Sequence, residues 1–220
     1  MMGVEINLLS RYPKSHRDLS TRVEQKTDGV RKIARKFGKD FFDGDRRYGY
    51  GGFTYNPKFW TDVVIDFISY YQLTPNSKIL DVGCAKGFML YDFYQKLPNA
   101  YLRGIDVSQY AIINCKPEVA KFLSVANAIN LPFDTNEFDL AISINTLHNL
   151  PLRECKIALK ELSRVTNSHS FITVDAYRTD EEKERMFDWN LTAKTILSVE
   201  DWIQLFEQVG YTGDYYWFTP

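Results

Sequence analysis

The chain has 220 residues, of which 45% are hydrophobic and 25% charged, and a formal net charge of -1. This length fits one domain, or one domain with an addition, and this composition excludes wholesale disorder. The near-neutral charge excludes broad electrostatic attraction to nucleic acid or to an anionic membrane surface. The cysteines Cys84, Cys115 and Cys155 are too few and too widely spaced for a disulfide scaffold, so we expect free thiols.

The start of the chain shows no pattern of a targeting or membrane segment. Residues 1–5 lack a basic region followed by an apolar stretch, and no run of about 18 or more apolar residues occurs. We therefore expect a cytoplasmic protein. Residues 1–17 have no clear period, which predicts an arm that is loosely held or packed on the rest of the chain.

A helical pattern follows over residues 18–37, broken by Gly29. Its basic side chains form either a stripe for RNA or a solvated helix face, and we favour the solvated face. They are Arg31, Lys32, Arg35, Lys36 and Lys39. Residues 40–55 are rich in glycine and aromatic residues, which predicts a loop that is either a lid over an active site or packing material. Residues 1–55 are thus the predicted N-terminal helical arm and lid.

From Asn56 onward, strands and helices alternate. Asn56 is a predicted N-cap, with Pro57 at the first helical position. Apolar runs predict strands over 78–81, 101–106, 122–126, 138–144 and 170–174, and helices over 57–68, 87–96, 151–165, 179–197 and 198–210. Residues 211–220 leave room for a single final strand. This alternation predicts an α/β fold over residues 56–220, a doubly wound, mostly parallel, Rossmann-like sheet with a cap-like insertion at about 178–197.

The first predicted strand ends in an acid followed by two spaced glycines. Asp81 stands at its carboxyl end, and Gly83 and Gly87 can bring backbone N–H groups close to a ligand because no Cβ intervenes. Such turns also occur simply to pack a helix against a sheet. About 20 residues later the second strand ends in Asp106, the position from which a carboxylate accepts hydrogen bonds from ribose hydroxyls. The two acids together favour a nucleotide-binding site.

Four motifs continue this pattern in order: DVGCAKG at 81–87, GIDVS at 104–108, VANAINLPF at 125–133 and FDLAISINTLHNL at 138–150. Together they resemble the class I S-adenosylmethionine-dependent methyltransferases, in particular the branch with quinone-biosynthesis and small-molecule enzymes. The resemblance covers roughly residues 77–176. It implies S-adenosylmethionine as cofactor and S-adenosylhomocysteine as product. No His, Cys and carboxylate spacing typical of a metal site occurs, so no metal is expected.

The resemblance also implies which residues bind the cofactor. Asp81 is expected to hold its amino group, Asp106 its ribose hydroxyls and Val107 its adenine. The full set is Asp81, Gly83, Cys84, Ala85, Gly87, Asp106, Val107, Asn127, Ala128 and Asn145. Two positions depart from the family: Ala85 replaces a frequent glycine, for which we expect a slightly tighter loop, and Asn127 replaces a frequent acid. The adenine amino group would therefore meet a neutral amide.

His148 is the candidate general base, because it follows the fourth strand at the active-site end. In relatives a histidine in such a segment often only shapes the pocket, and that alternative stays open. Further catalytic candidates are Tyr48, Tyr50 and Asp175. Substrate contacts are expected from Arg46, Arg47, Tyr177 and Arg178, since guanidinium groups suit an anionic handle. Asp175 could instead cap a turn or pair with Arg178.

These expectations describe an enzyme that methylates an oxygen or nitrogen of a small polar, anionic metabolite, such as a sugar nucleotide or an amino-acid derivative. The alternatives are a non-catalytic S-adenosylmethionine-binding scaffold and an RNA-directed methyltransferase. A nicotinamide-dependent reductase is disfavoured, because Asp81 precedes the glycines and no Gly-x-Gly-x-x-Gly occurs. The expected partner is a small-molecule acceptor, with no membrane and no nucleic acid, and the protein is expected to be a monomer or homodimer.

Overall fold

The computed structural model describes residues 3–13, 19–49 and 54–219, with the backbone alone for residues 19–21. Its strands are β1 (Lys78–Val82), β2 (Tyr101–Asp106), β3 (Leu123–Val125), β4 (Phe138–Ile144), β5 (Thr166–Tyr177), β6 (Leu197–Ser198) and β7 (Asp214–Phe218). Its α-helices are α1 (Leu19–Gln25), α2 (Asp28–Ala34), α3 (Lys39–Asp43), α4 (Pro57–Tyr70), α5 (Phe88–Lys96), α6 (Gln109–Ile113), α7 (Leu152–Val165), α8 (Asp180–Trp189) and α9 (Val199–Val209). Short 3-10 turns occupy residues 46–48, 117–122 and 147–149.

The strands form one sheet in the order β3-β2-β1-β4-β5, and both β6 and β7 pair with β5. Every pair between these strands is parallel, as in the pairing of Ile79 with Leu102 of β2 and with Leu140 of β4. The predicted doubly wound, mostly parallel, Rossmann-like sheet is confirmed. The strand order reverses between β1 and β4, and ligands of such sheets bind at the carboxyl ends of the strands beside this reversal.

Helices cover both faces of the sheet. On one face α4 and α5 bury Phe67 and Phe93, and on the other α7 and α9 bury Leu159 and Trp202. Each such side chain contributes about 1.5–3 kcal/mol of hydrophobic stabilisation. The capping prediction for α4 is confirmed, since Asn56 Oδ1 accepts the Lys58 N–H at 3.1 Å. None of the described helices combines the length and apolar character needed to cross a bilayer.

The far edge of the sheet is built from both ends of the chain. The predicted final strand is β7, which runs parallel to β5. The N-terminal arm pairs with β7, because Ile6 N–H donates to Tyr215 O at 2.9 Å and Tyr215 N–H donates to Val4 O at 3.1 Å. Leu8 then buries its side chain among the residues of α4 and α5. The arm is therefore packed on the sheet over residues 3–13.

Two predictions for the N-terminal segment are wrong. The helix over 18–37 is two helices, separated at Lys26 and Thr27, and Gly29 lies inside α2. Thr27 breaks the helix because its hydroxyl accepts the Val30 N–H, so it caps α2. The predicted loop over 40–55 also contains α3, which forms because Phe41 and the residue after it are buried. We call residues 19–49 the N-terminal cover.

Candidate active site

The predicted site residues meet at one edge because all the strands run in the same direction. Asp81 and Asp106 lie at the carboxyl ends of the neighbouring strands β1 and β2. Asn145 and His148 follow β4, and Asp175 lies near the end of β5. The sheet therefore brings together residues that are up to 94 positions apart in the sequence, as Asp81 and Asp175 are.

The turn after β1 has a conformation that favours glycine. Gly83 and Gly87 have φ angles of +88° and +75°. A Cβ on Gly83 would lie 2.1 Å from Thr146 Oγ1, so the turn packs directly against the segment after β4. The N–H groups of Gly83 and Cys84 both donate to Ile105 O, at 2.8 and 3.0 Å. These contacts fix the turn between the carboxyl ends of three strands.

Ala85 and Asp106 are joined within this turn. Ala85 has a φ angle of +49°, which costs a residue with a Cβ about 1–2 kcal/mol. Its N–H donates to Asp106 Oδ2 at 2.8 Å, and the Ser108 N–H donates to Oδ1 at 2.8 Å. Burial raises the pKa of Asp106, and these two hydrogen bonds oppose that shift. Where the sequence predicts a slightly tighter loop, Ala85 has a left-handed backbone conformation, and its hydrogen bond to the Asp106 carboxylate holds it there.

Asp81 is a buried carboxylate, with 4% of its surface exposed. Burial, followed by the charge of Asp106, raises the pKa of Asp81 to about 8. Its side chain accepts no hydrogen bond from any residue that the structure describes. A buried carboxylate is stable in its ionised form only when it is paired. Asp81 is therefore suited to a cationic group of a ligand.

The residues expected at the adenine lie beyond Asp106. Val107 exposes 57% of its surface although it is apolar. Asn127 is also exposed, with its Oδ1 accepting the Ile129 N–H at 3.2 Å, and Ala128 is partly buried against the α7 side of the sheet. The Cys84 thiol is buried, which raises its pKa well above the usual range. Val107 thus leaves an apolar surface beside the end of β2.

His148 and Asp175 form a buried pair. The Asp175 N–H donates to His148 Nδ1 at 3.0 Å, and Asp175 Oδ1 lies 3.5 Å from the same nitrogen. Burial lowers the pKa of His148 and raises the pKa of Asp175. Because Nδ1 accepts a hydrogen bond, the proton of the neutral imidazole is on Nε2. In this arrangement His148 offers a donor, and its role as a general base stays a prediction.

Asp175 does not pair with Arg178, so that alternative from the sequence is wrong. Asn190 Nδ2 donates to Asp175 Oδ2 at 2.6 Å, and Trp202 Nε1 donates to Asp175 O at 2.9 Å. Arg178 instead contacts Glu5 Oε1 at 2.8 Å. The reason is burial: Asp175 is 3% exposed and takes partners within the fold, whereas Arg178 lies on the surface.

Asn145 and Asn149 lie in the segment after β4. Asn145 has a φ angle of +52°, and its Oδ1 accepts the Thr173 hydroxyl at 2.8 Å. Asn149 Nδ2 donates to Asn145 O at 3.1 Å. Asn149 Oδ1 is buried and has no hydrogen-bond partner in the described part of the chain. Such an acceptor costs about 1–3 kcal/mol, so Asn149, which the sequence did not single out, has an oxygen suited to a donor group of a ligand.

Some residues of the predicted lid make side-chain contacts and others are exposed. Arg46 is exposed, and Arg47 pairs with Asp45 at 3.0 Å and lies 5.4 Å from the centre of the Tyr48 ring. Tyr50 falls outside the described residues. Substrate and catalytic roles stay predictions for Arg46, Arg47, Tyr48, Tyr50, Tyr177 and Arg178.

The N-terminal cover is bound to the turn after β1. Lys86 Nζ lies 2.6 and 2.8 Å from the two carboxylate oxygens of Asp43, and the Tyr110 hydroxyl donates to Asp43 Oδ2 at 2.7 Å. Ser108 Oγ donates to Phe37 O. A small cluster packs against the same turn and contains Ala34, Phe41, Phe42, Ala85, Ala111 and Leu191. These contacts cannot be predicted from sequence patterns, because the partners are far apart along the chain.

The cover is also bound to the insertion after β5. Arg35 donates to Thr192 O at 3.2 Å and to Ala193 O at 3.0 Å. Lys26 donates to the carbonyls of residues 187 and 188, and Arg22 to the carbonyl of residue 189 at 3.3 Å. The predicted solvated face is therefore wrong for Arg35, whose partners lie 157 and 158 residues further on.

The family described as "Methyltransferase domain" matches residues 79–169, which contain Asp81, the glycine turn and Asp106. Residues 79–169 are therefore a methyltransferase domain. The chain also shares its fold with solved proteins. The MccD protein aligns with a TM-score of 0.53 at 25% identity, over 66% of this chain and 69% of that chain.

Two curated relatives come from Arabidopsis thaliana. The tRNA (carboxymethyluridine(34)-5-O)-methyltransferase is 33% identical over 136 residues, which are 60% of this chain and 31% of that protein. The 24-methylenesterol C-methyltransferase 3 is 28% identical over 138 residues, 56% of this chain and 36% of that protein. The chain thus spans about a third of the length of these relatives, whose names indicate unlike acceptors.

Proposed function

We propose that the protein transfers a methyl group from S-adenosylmethionine to an oxygen or nitrogen of a small polar acceptor that carries an anionic group. The observation that carries the proposal is the buried carboxylate of Asp81, which accepts no hydrogen bond from the described residues and lies at the carboxyl end of β1. S-Adenosylmethionine has an ammonium group, which would favour the ionised form of Asp81.

The residues around Asp81 also fit this cofactor. Each Asp106 oxygen accepts one backbone N–H and has a second lone pair for a ribose hydroxyl. Val107 offers an exposed apolar surface for the adenine, and Asn149 Oδ1 is a second acceptor that lacks a partner in the described chain. When bound, the cofactor would supply an electrophilic methyl group. No cluster of three or more possible metal ligands occurs among the residues described.

In this proposal the chain contributes mainly positioning. Holding an acceptor in line with the methyl group can supply about 7–11 kcal/mol of the barrier reduction. His148 and Asp175 are hydrogen-bonded to each other and buried, so their positions are fixed. The N-terminal cover, held by Asp43 and Lys86, would exclude water from the turn after β1.

An RNA-directed methyltransferase is the second candidate, and the relative named as a tRNA methyltransferase favours it. The net charge of -1 favours a small acceptor instead, because nucleic acid binding relies on a broad basic surface. A non-catalytic S-adenosylmethionine-binding scaffold would retain the same cofactor residues. Binding and turnover therefore have to be measured separately.

Isothermal titration with S-adenosylmethionine, S-adenosylhomocysteine and NAD tests the cofactor. We expect the first two to bind and NAD not to bind. Asp106→Ala should weaken binding of S-adenosylhomocysteine by about 1.5–3 kcal/mol, the scale of hydrogen bonds to a charged group. Asp62→Ala is the matched control, because Asp62 is exposed and 3.7 Å from Arg11. Wild-type affinity in a folded Asp106→Ala variant would remove the cofactor assignment.

A further inference from the structure

A cavity of about 400 Å³ lies between α2 and the end of α8 with the segment that follows it. Its size is within the range of about 300–1,000 Å³ that small-molecule sites occupy. The lining residues are Arg31, Arg35, Phe187, Asn190, Ala193, Lys194 and Ile196. None of the cofactor residues lines it, so the cavity is separate from the turn after β1.

The charge of this cavity is one-sided. Arg31, Arg35 and Lys194 line it, and no carboxylate is among the described lining residues. Phe187, which is 47% exposed, and Ile196 supply apolar surface. In a chain of net charge -1, three cations around one small cavity favour a ligand with an anionic group and an apolar or polar body.

The cavity adjoins the cover of the cofactor turn. Ala34 packs in the cluster that includes Ala85, and the next residue, Arg35, lines the cavity. Leu191 belongs to the same cluster, and the residue before it, Asn190, lines the cavity. In each of two separate segments, one residue packs in the cluster on the cofactor turn and the adjacent residue lines the cavity. Along both segments the cavity is therefore one residue away from the cluster that packs on the cofactor turn.

The wall of the cavity continues into the candidate catalytic pair. Asn190 is 1% exposed, and its Nδ2 donates to Asp175 Oδ2 at 2.6 Å. Asp175 in turn donates its N–H to His148 Nδ1. Asn190 Oδ1 accepts the Ala193 N–H at 2.8 Å, so both ends of this amide are fixed. The cavity is thus connected by hydrogen bonds to the residues after β4 and β5.

We infer that this cavity is the acceptor site and that Lys194 binds a phosphate or carboxylate group of the acceptor. The inference rests on the proposed function. The Lys194 ammonium forms no ion pair with a described carboxylate, and Arg35 is fixed by its two carbonyl partners beside it. The site replaces the anion contacts expected from Arg47 and Arg178, whose charges are matched by Asp45 and Glu5.

The test is isothermal titration of the protein saturated with S-adenosylhomocysteine, using inorganic pyrophosphate in one arm and succinate in the other. At least one probe should bind, and the preferred probe identifies a phosphate-bearing or a carboxylate-bearing acceptor. Lys194→Gln should weaken that binding about tenfold, and Lys194→Glu should abolish it. Lys160→Gln is the matched control, because Lys160 is an exposed lysine of α7 outside the cavity. Affinity for S-adenosylhomocysteine should be the same in all variants.

The inference is overturned if neither anion binds the saturated protein, or if Lys160→Gln weakens binding as much as Lys194→Gln does. It is also overturned if a short single-stranded RNA binds more tightly than both small anions and loses affinity in Lys194→Glu, since the acceptor is then a nucleic acid. Failure of S-adenosylhomocysteine to bind the wild-type protein rejects the proposed function instead, and the same titrations on the ligand-free protein then test the cavity alone.

Discussion

Lys86, in the turn after β1, and Asp43, at the end of α3, form an ion pair in which both carboxylate oxygens lie within 2.8 Å of Lys86 Nζ. Burial opposes ionisation of Asp43, but the hydrogen bonds from Lys86 and Tyr110 leave its pKa below the usual value. A carboxylate with a lowered folded pKa stabilises the fold above about pH 4 and loses that contribution as the pH falls further. The pair therefore holds the N-terminal cover in place at neutral pH.

Asp43→Asn should lower the free energy of unfolding by about 1–2 kcal/mol, because it weakens charge-assisted hydrogen bonds. Urea denaturation at pH 7 measures this change. Limited proteolysis should also cut residues 44–54 faster in this variant, since the cover is held less firmly. Asp45→Asn is the control, because Asp45 pairs with Arg47 on the surface. Equal protease sensitivity of the two variants would show that the Lys86 pair does not hold the cover.

Gly83→Ala should destabilise the protein by about 3 kcal/mol or more, because a left-handed alanine is strained and its Cβ would also collide with Thr146. Gly210→Ala separates the two effects. Gly210 has a φ angle of +71°, but a Cβ there would meet nothing within 4 Å. Its cost should be about 1–2 kcal/mol, the conformational strain alone. Thermal unfolding measures both, and equal costs would contradict the close packing of the turn.

Asp81→Asn should stabilise the ligand-free protein while it removes cofactor binding. With a pKa of about 8 in the fold, Asp81 retains a proton that the unfolded chain has released. The free energy of unfolding therefore falls as the pH rises from about 4 to 8. Because asparagine does not titrate, the variant does not lose stability in this way as the pH rises. Its melting temperature should exceed the wild-type value by about 2–6 °C at pH 8 and by less at pH 5. A constant difference across this pH range would contradict the buried position of Asp81.

His148→Gln keeps an acceptor for the Asp175 N–H but cannot titrate. Because burial lowers the pKa of His148, the unfolded chain takes up a proton below about pH 6.5 before the fold does. Wild-type stability should therefore decrease below that pH, and the variant should lack this part of the decrease. The exposed His169, changed to Gln, is the control.

The same variant tests catalysis. A general base at His148 requires a loss of roughly 100-fold or more in methylation rate with little change in affinity for S-adenosylhomocysteine. A loss of affinity instead would show that the histidine shapes the pocket.

The strands were the most predictable part of the fold. Parallel strands buried on both faces are continuous apolar runs, so the predicted range 138–144 equals β4, and the strand predicted to end at Asp81 lies within β1, which ends one residue later. The prediction of β5 was too short, because residues 166–169 are polar and mostly exposed yet pair with β4. The positions of Asp81 and Asp106 at strand ends followed directly from these runs.

The N-terminal cover was less predictable because its helices have only seven, seven and five residues. Helices of this length are stable through tertiary packing and not through local sequence preference. The bonds of Arg35 to Thr192 and Ala193 depend on where the insertion lies, which no spacing within residues 18–37 could indicate. For the same reason the sequence pattern of this basic helix face predicts solvation and not these bonds.

The pairing of residues 4–6 with β7 has a consequence for synthesis. Val4 N–H also donates to the Asp214 side chain, which is 210 residues away in the chain. At about 5–20 residues per second, a ribosome needs roughly 10–40 s to make that length. Throughout this time residues 4–6 have no partner strand, so this edge of the sheet forms only after residue 214 has been made. A nascent chain shortened before residue 214 leaves this segment free for proteases or chaperones to bind.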